Sequence, residues 1–212
     1  MPQSVETLFL TPGPQPTGMQ ASAEGLWILD QSTNLLQLVA YTGELLKTLV
    51  TTADRGSGVT DDGTTLWLTS TYSRQILQVD RNSGATLVSY PSPGAKLTGA
   101  HGLEWRAGTL WVANPPSATI YQIDPARGFS VIHTIPAPGV RPHGLAWDGD
   151  NLLCVETNQR VIYRLNPQTG EQLGKIELPE PNPEPHGMTL WAGYVYYCDA
   201  HTRAVCRLPV SG

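Results

Sequence analysis

Five short stretches of this chain share one pattern, a residue followed by glycine and an apolar residue. They read "TGMQA" from Thr17, "SGVTD" from Ser57, "HGLEW" from His101, "HGLAW" from His143 and "HGMTL" from His186. The glycines stand at 18, 58, 102, 144 and 187, so the steps are 40, 44, 42 and 43 residues. A period of that size constrains the fold more than any local signal, because each unit must bury its apolar surface against copies of itself. Every unit continues in the same order. A second apolar run follows ("GLWILD", "TLWLTS", "TLWVAN", "NLLCVE", "YVYYCD"), and then a third ("LLQLV", "QILQVD", "TIYQID", "VIYRLN", "AVCRLP"). The first four units add a turn with Gly, and the second, third and fourth then run toward a proline-rich exit. The first unit departs from this exit with "LLKTLVTTADRG". β-branched and aromatic content, bounded by Gly and Pro, predicts strands in all of these runs.

Four short strands in roughly 40–50 residues make a propeller blade, and a linear solenoid is the competing way to stack such units. The chain ends decide between them. The fifth unit stops after its third strand, while the N-terminal "ETLFLTPGP" aligns with "ATLVSYPSPG" of the second unit. A strand over Glu6–Pro12 can therefore complete the last blade, close the ring and remove its open edge. The expected fold is an all-β, five-bladed β-propeller of four-stranded antiparallel blades. It is expected as one domain over 1–212, with blades at roughly 17–55, 57–95, 101–140, 143–182 and 186–209 plus 5–13.

Composition narrows the function. The net charge is −5 and no stretch clusters Lys and Arg, which argues against a nucleic-acid partner. No apolar run reaches the ~18–20 residues of a membrane helix. The N-terminus has neither the basic nor the apolar region of a signal peptide. The three cysteines lack metal-type spacing. A cytoplasmic monomer is expected, or a secreted one if a leader has been removed, with a small molecule or short peptide as its ligand. Trp27, Trp67 and Trp111 recur at one repeat position, and Trp105 and Trp147 at another, as packing between blades requires. Cys154, Cys198 and Cys206 read as small core residues, and whether Cys198 and Cys206 pair is open. His133 falls in an outer fourth strand and is expected at the surface.

Strand direction alternates outward from a propeller axis, so the start of strand one and the turn between strands two and three share a face. That gathers Thr17, Ser57, His101, His143 and His186 around one mouth of the channel, with Asp30, Ser70, Asn114, Glu156 and Asp199 nearby. Three imidazoles with acids in a closed ring form a metal-site pattern. Zn is the first candidate, with Ca or Mg as alternatives, held by His101, His143 and His186. Glu156 and Asp199 are candidates to orient those imidazoles, and Glu156 or His201 to act as acid or base. Tyr72, Arg74, Asn114, Asp199 and Asp30 are candidates for substrate binding. The plainer reading is that a His before Gly bonds a neighbouring blade's backbone. The recurrence of Arg74, Arg160 and Arg203 in equivalent turns likewise fits hydrogen bonds between blades, or a grip on a carboxylate.

Over essentially its whole length the repeat "HGL…TLWVAN…TIYQIDP…G" resembles the NHL-repeat and streptogramin lyase-like propellers of the gluconolactonase-type superfamily. The closing "PHGM" and "YVYYCDAHTRAVCRL" resemble the final blade of peptidyl-hydroxyglycine amidating lyases, in which channel-mouth histidines bind zinc. His186 matches one of those histidines through its Pro-His pair, and His101 and His143 match by repeat equivalence. Streptogramin lyases use a divalent metal, a histidine and a glutamate to open a lactone by elimination, which implies parallel roles for Glu156 and the histidines. Plant-type glutaminyl cyclases, with five blades and a channel metal, are an architectural parallel. The expected function is a metal-centred lyase or hydrolase-like propeller acting on a small polar substrate. The alternative is a non-catalytic NHL-like scaffold for a ligand or protein.

Overall fold

The computed structural model describes residues 4–210. The first strand, β1 (Glu6–Leu10), belongs to the last blade. Blade 1 follows as β2 (Pro16–Ala21), β3 (Leu26–Asp30), β4 (Leu35–Val39) and β5 (Leu45–Val50). Blade 2 is β6 (Gly56–Asp61), β7 (Leu66–Ser70), β8 (Gln75–Val79) and β9 (Thr86–Pro91). Blade 3 is β10 (Leu103–Arg106), β11 (Thr109–Asn114), β12 (Thr119–Asp124) and β13 (Ser130–Pro136). Blade 4 is β14 (Pro142–Asp148), β15 (Asn151–Glu156), β16 (Val161–Leu165) and β17 (Gln172–Glu177). Blade 5 is β18 (Met188–Trp191), β19 (Tyr194–Cys198) and β20 (Ala204–Pro209), with β1 as its outer strand. Every pairing is antiparallel, so the chain is a five-bladed, all-β propeller closed by its N-terminal strand. Among the described residues no helix is long and apolar enough to cross a membrane.

The apolar runs of the second strands follow from burial on both faces. In β3, Trp27 and Leu29 pack toward blade 2, while Leu26 and Ile28 pack toward blade 5. Equivalent clusters fill each of the other seams, between blades 2 and 3, 3 and 4, and 4 and 5. A strand lying between two neighbours has no solvent face to make polar, so strict alternation disappears. The outer strands behave oppositely, and β9 and β17 are mostly exposed.

The repeat glycines set how closely the inner strands approach. A Cβ on Gly58 would stand 2.1 Å from the His101 carbonyl oxygen, and one on Gly102 would stand 1.9 Å from that of His143. Only hydrogen fits there. The glycines with Met19, Val59, Leu103, Leu145 and Met188 form a waist with no room for a water molecule, which divides the channel into two mouths.

The cysteines are free and buried. Cys198 faces the seam with blade 1 and Cys206 the seam with blade 4, on opposite sides of the sheet, so they do not pair. His133 departs from the surface position expected of it. It is half-buried, its ring standing edge-on to Trp111 at 6.3 Å, because the bulk of Trp111 reaches under the outer strand.

Candidate functional site

The close contacts at Gly58, Gly102 and Gly144 hold the preceding backbone of each neighbouring blade against the axis and aim three side chains into one mouth. His101 Nδ1 lies 2.8 Å from His143 Nε2. The His143 ring stands edge-on to that of His186, with centroids 4.0 Å apart. His143 Nδ1 is 3.0 Å from the Arg141 carbonyl and 3.0 Å from the Thr157 hydroxyl. His186 Nδ1 is 3.3 Å from the Thr17 carbonyl. A carbonyl can only accept, so His143 and His186 carry their protons on Nδ1 and keep lone pairs on Nε2. His101 therefore donates from Nδ1 to His143.

All three imidazoles are neutral near pH 7. Burial is the main cause, taking His101 down to about 3 and His186 to about 4, with His143 also well below its ordinary value. The positive charge of Arg141 adds to the effect at each ring. Arg141 was not among the residues singled out from sequence, because it stands two positions before a repeat histidine, where the other units carry Gln15, Arg55, Gly99 and Glu184 and only the second repeats the arginine. In this arrangement no three His, Cys, Asp or Glu side chains among the described residues form a metal-ligating group. The donor set nevertheless has the chemistry of one: His143 and His186 are neutral rings oriented through Nδ1 by carbonyls, the form that ligates metals, and His143 would release its bond from His101 to do so.

The acids at the ends of the second strands occupy their carboxylates otherwise. Glu156 accepts from the backbone N–H groups of Val140 (3.1 Å), Arg141 (2.8 Å) and Gln159 (2.8 Å). Asp199 accepts from Glu184 (2.9 Å), His201 (2.7 Å) and Thr202 (3.0 Å). Asp30 accepts from Gln15 (2.5 Å), Ser32 and Thr33. Asn114 instead donates to the Pro93 carbonyl, and its side chain is buried. Each residue ties the loop entering its blade to the turn leaving the second strand. Burial raises Asp30 and Asp199, yet the donors around them outweigh it and both lie below the ordinary carboxylate range.

The remaining predicted residues lie in turns on the histidine side. His201 is exposed, with Nε2 4.0 Å from Glu184 Oε1. Tyr72 is exposed beneath the Arg55 guanidinium, 4.7 Å from its ring centre. Arg74, Arg160 and Arg203 each hold positive φ, at 59°, 57° and 66°, where the turn bends into the third strand. Arg74 donates to the Lys96 carbonyl at 3.4 Å, and Arg160 donates to Leu178 at 3.1 Å and pairs with Glu184.

The opposite mouth holds a residue that the sequence reading missed. Glu104 is 8% exposed and lines a cavity of about 330 Å³ together with Gln20, Trp105, Arg106, Trp147 and Thr189. Its Oε1 is 3.1 Å from the Trp105 N–H and 3.3 Å from the Thr60 hydroxyl. Burial raises its pKa to about 8 against these two donors. The signal lay two positions after each repeat glycine, where the column reads Gln20, Thr60, Glu104, Ala146, Thr189. Four polar residues, one on each of four inner strands, mark a lined channel.

No protein-family model matches this sequence, and no curated protein matches it. Solved structures match its fold. Glutaminyl cyclase of Myxococcus xanthus superposes with a TM-score of 0.79 at 12% identity, covering 100% of both chains. Virginiamycin B lyase of Staphylococcus aureus gives a TM-score of 0.63 at 15% identity, over 98% of this chain and 99% of that one. The Cps50 (Swd1) β-propeller domain of Myceliophteria thermophila gives 0.60 at 9% identity, over 98% and 100%. At such identities the likeness is one of fold, that of a β-propeller.

Proposed function

We propose that the histidine mouth is a divalent-metal site, zinc first and Ca or Mg second, in a lyase or hydrolase-like enzyme working on a small polar molecule or short peptide as a cytoplasmic monomer. The observation that carries this reading is the trio of neutral imidazoles gathered at one mouth, two of them buried and oriented through Nδ1 by carbonyls. Such rings favour Zn over the oxygen-seeking Ca and Mg. When bound, the ion supplies Lewis acidity beside a polar substrate. Arg141 brings a positive charge to the same mouth and suits a substrate bearing a carboxylate. His201, exposed beside Glu184, is the titratable group left free to exchange a proton with that substrate. Glu156 acts through position, since its bonds to Val140 and Arg141 hold the carbonyl that orients His143.

Calorimetric titration of the metal-free protein with Zn(II), beside metal analysis of the protein as purified, tests this. Stoichiometric uptake is expected in the parent, with at least about a hundredfold weaker binding in His101→Asn and His143→Ala. A parent protein that takes up no metal, or variants that retain its affinity while folded by circular dichroism, would overturn the assignment. The direct 2.8 Å bond between His101 and His143 favours a second reading, a metal-free scaffold whose histidines join adjacent blades.

A further inference from the structure

The closed waist separates the histidine mouth from the cavity around Glu104, so the two ends of the channel are chemically independent. We propose that the Glu104 end is a second binding site, one that takes a neutral polyhydroxylated ligand of the short-oligosaccharide class, with Glu104 as its anchoring hydrogen-bond group.

Three observations carry this. First, Glu104 Oε1 is engaged by Trp105 N–H and the Thr60 hydroxyl, while Oε2 has no protein partner among the described residues. A carboxyl more than nine-tenths buried thus presents one oxygen, without a protein partner, to the cavity it borders, where a ligand hydroxyl can bond it in place of water. Secondly, the cavity offers no charge for an ionic ligand to neutralise. Arg106 is held by Asp150 at 2.9 Å and by the Gly149 carbonyl, and it stacks 4.2 Å over the Trp147 ring. The strands packed around Glu104 bring Gln20, Thr60, Ala146 and Thr189 to its level. The charges nearest along them, Asp61 and Asp148, are paired with Arg81 and Arg164. With burial keeping Glu104 protonated at neutral pH, the lining is neutral and rich in groups that both donate and accept. Hydroxyl groups match that inventory, and the C–H face of a sugar ring matches the indoles of Trp105 and Trp147.

Thirdly, Arg106 and Trp147 also border a neighbouring cavity of about 480 Å³ that carries Gln122, Asn151, Asn166 and Gln168. The two volumes share Arg106 and Trp147 in their walls. A ligand with more than one sugar unit can therefore reach both.

Tryptophan fluorescence and calorimetric titration with glucose, cellotriose, maltotriose and N,N′-diacetylchitobiose, beside spermidine and citrate as charged controls, decide the matter. At least one trisaccharide or disaccharide is expected to bind, more tightly than glucose and than either charged control. Glu104→Ala should weaken that binding about tenfold. Glu104→Gln keeps the shape and the neutrality, so it should bind at pH 7 and keep its affinity at pH 9, where the parent loses affinity as Glu104 ionises. Three results would sink the proposal: no sugar of the panel binding at tens of millimolar, a charged control binding more tightly than the sugars, or Glu104→Ala binding like the parent.

Discussion

Asp30 and Glu104 are both acids removed from water, yet their environments drive them in opposite directions. Burial penalises the charged form of each. Around Asp30 the N–H groups of Gln15, Ser32 and Thr33 and two hydroxyls converge on the carboxylate and reverse the penalty. Glu104 has one N–H and one shared hydroxyl, and burial wins. The consequence for stability has a definite sign. A glutamate whose pKa is about 8 folded, against an ordinary 4.5, binds its proton more tightly in the native state. Its contribution is present below pH 4.5 and is lost as pH rises to about 8. Urea unfolding of Glu104→Gln beside the parent at pH 5, 7 and 9 isolates this term, because every other group titrates in both. The variant is expected to gain several kcal/mol on the parent between pH 5 and 9. A constant difference across that range would mean Glu104 is not buried as an acid.

Among the elements, the inner strands carry the geometric demand. At Gly102 an added methyl would meet the His143 carbonyl at 1.9 Å, a contact with backbone that no side-chain rotation can relieve. Gly102→Ala is therefore expected to destabilise by about 3 kcal/mol in chemical unfolding. Gly174, on the exposed strand β17, has nothing within 4 Å of such a methyl, and Gly174→Ala should change stability by less than about 0.5 kcal/mol. Equal losses at both positions would show that the ring of glycines does not set the strand approach. The "X-Gly-apolar" motif is thus first a packing device, and the histidines stand where it places the chain.

For the molecule as a whole, closure depends on the N-terminal strand. β1 pairs with β20 through Glu6–Arg207, Thr7–Cys206, Phe9–Val205 and Leu10–Ala204. Val5 packs against the seam of blades 4 and 5, and Leu8 and Phe9 against that of blades 5 and 1. Removing residues 1–13 opens the β20 edge and uncovers both seams at once. A thermal midpoint lower by at least about 10 °C and concentration-dependent light scattering are expected. A truncated chain that melts like the parent and stays monodisperse would show that the ring holds without this strand.

Much of this architecture is written in the chain. The repeat period, the strand order within each unit, the N-terminal strand completing the last blade and the gathering of His101, His143 and His186 at one mouth all follow from covalent spacing, which survives folding unchanged. What each side chain does was decided by tertiary structure. Glu156, Asp199 and Asp30 spend their carboxylates on loop N–H groups that only the finished turn presents. Cys198 and Cys206 look in opposite directions because neighbouring positions in paired strands face opposite seams. Glu104 became a buried acid through Thr60, Gln20 and Thr189, which lie on other blades. The period counts residues along one chain, whereas burial and hydrogen bonding are set by neighbours that meet only when the ring closes.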